Sequence, residues 1–260
     1  METKDFIEEE KIEQENLENE EVKGKKKLIS QEDIMELLNN LYEKSKDGIP
    51  YVSKSVEDLA NEYLTKHDDT ESAAKSFVNF QIAKCTTSGF LTGFGGFITL
   101  PITIPANISS VLYVQMRMIA TLAHMGGYDV ESDQVQTLVY ACLAGISVDA
   151  ITKQVAIKFG TKFGTAMVKK IPGKVLTSIN QKVGFRFLTK FGTTGLINIG
   201  KAIPVVGAVI GGGFDLVETK IIADRAYKMF ILGDFTSKSK NNDEIIDVED
   251  IVEITNEDLE

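Results

Sequence analysis

Apolar residues recur every three or four positions through most of the chain, and this spacing predicts amphipathic helices. The first two predicted helices begin at Ser30 and Ser55, each followed three residues later by an aspartate in a helix-capping position. Gly48 and Pro50 end the first of them. A third helix is expected to start at Glu71.

The longest uncharged stretch lies between Lys84 and Arg117 and leads into a helix that is apolar around most of its circumference. A helix of this kind is buried in protein or in a membrane. The stretch also contains four glycines and two prolines. A plain transmembrane helix is disfavoured, because proline removes a backbone donor and lipid offers no replacement. Two alternatives remain, a glycine-rich hairpin that dips into a membrane and the core of a soluble bundle.

One row of polar side chains interrupts this apolar helix. Its spacings of three and four residues place all of its members along one side. They are Asn107, Ser110, Tyr113, Arg117, Thr121 and His124, which we call the polar seam. The seam could line a lipid-headgroup site or a groove, or it could supply the contacts between helices of a bundle. The second interpretation is favoured.

Arg117 is the charged member of the seam, and an unpaired buried charge is costly. Asp149 and Asp215 are isolated acids in apolar surroundings. We therefore predict that Arg117 pairs with Asp149 or with Asp215.

A further helix is expected to begin at Ser132 or Asp133 and to continue through Phe159. Beyond it, charge is strongly segregated, since residues 150–214 contain no acid. The same window holds ten basic residues: Lys153, Lys158, Lys162, Lys169, Lys170, Lys174, Lys182, Arg186, Lys190 and Lys201. Such segregation indicates an anionic partner or a solvated basic face balanced by acidic tails.

Within this window, one predicted helix carries two parallel ridges. Lys174, Lys182, Arg186 and Lys190 form a basic ridge, and the adjacent apolar ridge ends at Phe187 and Phe191. A helix of this kind can lie flat on an anionic bilayer with its phenylalanines inward and its cations toward phosphate. We take these six residues as candidate membrane-facing residues. An ordinary surface helix of a bundle is the alternative.

These elements predict an all-α fold, a single bundle of about seven or eight helices with glycine-rich apolar hairpin segments. The second glycine-rich segment follows Pro204. The expected domain organisation is an acidic N-terminal tail over residues 1–29, a helical domain over 30–233 and an acidic C-terminal tail over 234–260. The net charge of the whole chain is −10.

Sequence signatures of catalysis are absent. The chain has no H-E-x-x-H, no paired C-x-x-C, no G-K-[ST] phosphate loop and no G-x-S-x-G elbow. We therefore expect no metal, no cofactor and no catalytic residues, and an enzyme is less expected than a binding protein. A hydrolase or peptidase with an unrecognised site is the alternative. Nucleic-acid binding is not expected.

The segments TLPITIPANISSVLYVQMRMIATLAHMGGYD, SDQVQTLVYACLAG and KAIPVVGAVIGGGFDLVETKIIADRAYKMF resemble the EcsC protein family over about residues 73–230. That family is named for a bacterial protein encoded beside an ABC transporter, so the resemblance implies a membrane transporter as a partner. The acidic N-terminus, METKDFIEEE, does not read as a secretory signal. We expect a cytoplasmic protein, peripheral or partly inserted at the inner face of the cell membrane, that binds anionic lipid or a membrane complex.

Overall fold

The computed structural model describes residues 29–85, 106–146, 164–191 and 213–235, with no side-chain description for 84–85, 106–108, 191 and 213–218. Every regular element in these ranges is helical, and the only β-type pairing described is an isolated bridge between Ile49 and Ser53. The predicted all-α fold is confirmed. The expected glycine-rich hairpin segments lie outside the described residues.

The described part of the chain contains eight α-helices. They are α1 (Gln31–Asp47), α2 (Val56–Leu64), α3 (Thr70–Cys85), α4 (Ala106–Met125), α5 (Asp133–Ala144), α6 (Thr165–Val168), α7 (Gly173–Phe191) and α8 (Gly213–Ala226). The last continues as a π-helical turn, Tyr227–Ile231.

The predicted helix starts are confirmed in atomic detail. Ser30 Oγ accepts a hydrogen bond from the backbone N–H of Asp33 at 3.1 Å, and the Asp33 carboxylate accepts one from the backbone N–H of Ser30 at 2.9 Å. This reciprocal pair closes the first turn of α1. Ser55 and Ser132 cap α2 and α5 in the same way through their hydroxyl oxygens. Local sequence is therefore enough to set these three helix starts.

Helix α5 ends earlier than its apolar pattern predicts. Gly145 takes a left-handed conformation with φ of 69°, and the backbone N–H of Ile146 donates to the carbonyl of Ala141 at 2.8 Å. This arrangement closes a helix C-terminus and stops the regular ladder of hydrogen bonds. The expected continuation to Phe159 is therefore wrong at Gly145, and residues 147–163 lie outside the described part.

Helix α4 is the central element. It packs against α1, α2, α3, α5 and α8. Met116, Ile119, Ala120 and Leu122 have no exposed surface, although they point in different directions around the helix. The apolar circumference of α4 is thus covered by other helices of the same chain. None of the described helices is both long enough and apolar enough to cross a membrane.

Helices α4 and α8 run parallel and in register. The Gln115 side-chain amide donates to the Thr219 hydroxyl at 3.2 Å, and eleven residues further along both helices Gly126 lies directly against the Phe230 carbonyl oxygen. The N-terminal ends of α4 and α8 therefore lie side by side at one end of the bundle. We call this the Ala106 end, and the opposite one the Gly126 end.

Helix α5 returns antiparallel to α4 after a short connection. Its last turn is closed by Arg225 of α8, whose guanidinium donates to the Cys142 carbonyl at 2.8 Å. A cation at this position is stabilising, because the C-terminus of a helix carries a partial negative charge. Helix α7 packs on α5 and α1, and the Gln31 side chain donates to the Gln181 carbonyl at 2.8 Å.

Replacing Gly126 by alanine should lower the free energy of unfolding by about 1–3 kcal/mol, because the new methyl group would overlap the Phe230 backbone and force α4 and α8 apart. Chemical denaturation measures this directly. Gly173→Ala is the matched control, since a methyl group there meets nothing within 4 Å. Equal stability of Gly126→Ala and the wild type would show that the close contact between the two helices is not needed.

Candidate functional site

The polar seam of α4 faces the segment that joins α1 to α2. The Tyr113 hydroxyl is hydrogen-bonded to the Ser53 hydroxyl at 2.6 Å, and the Tyr113 carbonyl accepts from the Ser45 hydroxyl at 3.3 Å. Arg117 donates from Nη2 to the Lys54 carbonyl at 2.7 Å. Thr121 is buried and donates to the carbonyl of Arg117. These hydrogen bonds of the seam residues are thus all contacts inside the bundle.

The ends of the seam differ from its middle. Ser110 is buried close to the Ala106 end, and the side chain of Asn107 lies outside the described residues. His124 is half-buried at the other end, where it borders a cavity. Among the described seam residues, Ser110, Tyr113 and Thr121 are buried, whereas Arg117 and His124 are half-buried.

The guanidinium of Arg117 is partly shielded from water. Burial lowers the pKa of its guanidinium below the usual value, and nearby Tyr113 opposes this shift. None of the ion pairs among described residues involves Arg117, and its Nε is buried without a hydrogen-bond partner there. Asp149 and the side chain of Asp215 lie outside the described residues. Pairing of Arg117 with either aspartate stays a prediction.

The cavity beside His124 has a volume of about 340 Å³. It is lined by Lys46, Asp47, Ser55, Val56, Glu57, His124, Tyr128, Asp129, Val130 and Glu131. Only 13% of the Lys46 side chain is exposed, and its ammonium group lies 2.6 Å from Glu131 and 3.0 Å from Glu43. Burial opposes this charge, but the hydrogen bonds to Glu131 and Glu43 outweigh it and raise the pKa of Lys46. Lys46 thereby ties the end of α1 to the connection between α4 and α5.

The described residues show no arrangement typical of a reactive centre. Cys142 is fully buried, and burial raises the pKa of its thiol to about 12, which keeps it protonated and unreactive near neutral pH. His67 is hydrogen-bonded through its ring to the Tyr63 carbonyl at 2.9 Å. In the same part of the chain, no group of three His, Cys, Asp or Glu side chains is placed to hold a metal ion.

Helix α7 presents its predicted cations to solvent. Lys174, Lys182, Arg186 and Lys190 are all exposed. The adjacent apolar ridge faces the bundle, because Val175, Ile179 and Val183 are buried.

The phenylalanines differ from the prediction. Phe187 is only 3% exposed and belongs to the core, so the expectation that it faces a membrane is wrong in this structure. The reason is that the apolar ridge of α7 is needed to pack on α5 and α1. The side chain of Phe191 lies outside the described residues. Phe185 is instead 62% exposed, next to Arg186 and one helical turn from Lys182.

Phe185 was missed because it lies off the apolar ridge. The sequence feature that could have identified it is an aromatic residue on the polar side of an amphipathic helix, close to Lys182 and Arg186. We define the basic face of α7 as Lys174, Lys182, Phe185, Arg186 and Lys190. It combines exposed positive charge with one exposed aromatic ring, and α7 itself contains no acid.

Comparison with protein families matches the EcsC protein family model to residues 8–232. The chain belongs to the EcsC protein family. The match includes every helix described above, from α1 to the π-helical turn after α8. Comparison with curated proteins gives no match, and comparison with solved structures gives none either. The family resemblance noted in the sequence is therefore confirmed.

In this EcsC-family protein, the seam should stabilise the fold. Tyr113→Phe removes the hydrogen bond to Ser53 and should cost about 0.5–1.5 kcal/mol of unfolding free energy. A double-mutant cycle with Ser53→Ala, read by denaturation, isolates the pair, which should show coupling of at least about 0.5 kcal/mol. Tyr51→Phe, at a fully exposed tyrosine, is the control. Zero coupling would show that the seam contact does not hold the α1–α2 connection.

Proposed function

We propose that this EcsC-family protein is a non-catalytic, cytoplasmic protein that associates with the inner face of the cell membrane by binding anionic lipid or a membrane complex, such as a transporter. The observation that carries the proposal is the basic face of α7. Its four cations are exposed together with Phe185, while the other side of the same helix is fixed in the core.

The charge pattern fits a partner that is both anionic and partly apolar. A lysine or arginine close to an anionic bilayer contributes about 1 kcal/mol of attraction, and salt screens this contribution within about 8–10 Å. Burial of the Phe185 ring adds about 1.5–3 kcal/mol, which salt does not remove.

The arrangement of the helices also supports attachment to a membrane. The segments that precede α4 and α8 are rich in glycine and apolar residues; residues 86–105 carry no charge, and residues 192–212 carry only Lys201. Both segments lie outside the described part. The helices that they enter begin side by side at the Ala106 end. Two apolar segments thus join the bundle at the same end. Both could therefore take part in attachment to a membrane at that end.

The alternative, a hydrolase with an unrecognised site, is favoured by no contact among the described residues. Cys142 is shielded from solvent, and the His67 ring is hydrogen-bonded to the carbonyl of Tyr63 in the last turn of α2. Labelling of the purified protein by activity-based serine or metal probes would support this alternative.

The proposal predicts that purified protein co-sediments with phosphatidylglycerol-rich vesicles and much less with neutral ones, and that salt weakens the binding without abolishing it. Lys174→Gln combined with Arg186→Gln should remove much of the preference for anionic vesicles. The matched control is Lys66→Gln combined with Lys75→Gln, which removes the same charge from exposed positions outside α7.

The apolar contribution is tested separately. Phe185→Ser should lower affinity for anionic and neutral vesicles alike, whereas Ile221→Ser, at a side chain of α8 that is 45% exposed, should change neither. If the wild-type protein stays in the supernatant with anionic vesicles at low salt, direct lipid binding is wrong. The basic face of α7 would then be assigned to an acidic protein partner.

A further inference from the structure

The C-terminal part of the chain leaves the described bundle at a defined place. Phe235 is buried, and its ring centroid lies 6.5 Å from that of Tyr128 and 6.4 Å from that of Phe230. Tyr128 follows Gly127, and a Cβ placed on Gly127 would lie 3.9 Å from the Thr165 side chain. Phe235 and α6 are thus held at the same connection, at the Gly126 end.

The segment that starts at this place, through α6 and α7, carries exposed cations. Lys169 and Lys170 follow α6 directly and are exposed, and the basic face of α7 begins four residues later at Lys174. No acid occurs in residues 164–191. The polypeptide therefore leaves the bundle near the start of a segment that carries exposed cations and no acid.

The residues that come next have the complementary charge. Residues 236–260 contain two lysines and nine acids: Asp243, Glu244, Asp247, Glu249, Asp250, Glu253, Glu257, Asp258 and Glu260. Fully extended, this segment spans roughly 80 Å, whereas α7 with its 19 residues is about 28 Å long. Its length is therefore ample to follow the whole helix.

We propose that residues 236–260, the acidic segment, dock across the basic face of α7 and compete there with an external anionic surface. The docking stands on charge complementarity and on the position of Phe235; only the competition rests on the proposed function. Interleaved isoleucines and valines, such as Ile245, Val248 and Val252, give the segment apolar side chains that can meet Phe185.

Tethering makes such docking effective even though each exposed ion pair is weak. A segment joined to its site by a short flexible linker has an effective concentration in the millimolar range, so sub-millimolar intrinsic affinity suffices to occupy the site. Exposed pairs are screened by salt, so the docked state should be salt-sensitive. A dense anionic bilayer carries more charge than the segment and can displace it.

The docking is tested on the full chain by zero-length carbodiimide crosslinking, which joins carboxylates to lysines in direct contact. At low salt, mass spectrometry should find acids of residues 236–260 joined to Lys174, Lys182 or Lys190, and these products should fall at high salt. A mixture of isotope-labelled and unlabelled protein identifies links between molecules. Absence of these links, or equal linkage to Lys66 and Lys75, which lie outside α7, would overturn the docking.

The competition is tested with a full-length variant in which Asp243, Glu244, Asp247, Glu249 and Asp250 are replaced by the matching amides. Its affinity for phosphatidylglycerol vesicles should exceed that of the wild type about three- to tenfold, the factor by which a tethered competitor reduces an apparent affinity. Equal affinities would overturn the competition. If neither protein binds vesicles, the lipid proposal fails, while the crosslinks still decide the docking.

Discussion

The burial of α4 is the constraint on which the rest of the structure depends. A helix that is apolar around nearly its whole circumference must be enclosed, and five neighbouring helices enclose this one. The absence of a side chain at Gly126 lets α8 approach to backbone contact, and the polar seam hydrogen-bonds the α1–α2 connection over the remaining side. The seam is thus part of the enclosure, and its His124 end borders a cavity.

Because the core is complete around α4, the surface available for recognition lies on the outer helices. Helix α7 has one side in the core and another in contact with solvent. Val175, Ile179 and Val183 pack inward, and the basic face points outward. Changing the outward cations should therefore alter binding with little effect on folding. Under the proposals made above, the anionic partner, whether lipid or the acidic segment, would meet the outward side of a helix whose inward side packs in the core.

Features governed by neighbouring residues could be predicted from the sequence, and features governed by distant packing could not. Ser30, Ser55 and Ser132 were identifiable as caps because each bonds to a backbone N–H three residues away. The seam was identifiable as a row, but its main partners, Ser53 and the Lys54 carbonyl, lie about sixty residues away in sequence. The orientation of Phe187 depends on α5 and α1, and helical spacing alone cannot reveal it.

Helix α4 is a protected core helix and α7 is the proposed binding helix, and hydrogen–deuterium exchange with and without phosphatidylglycerol vesicles tests this difference most directly. The backbone amides of α4 should exchange slowest and stay unchanged when vesicles are added, because α4 is enclosed by protein in both states. Those of α7 should slow down with vesicles, because binding stabilises that helix. Fast exchange in α4, or a vesicle effect confined to α4 while α7 is unaffected, would contradict the account.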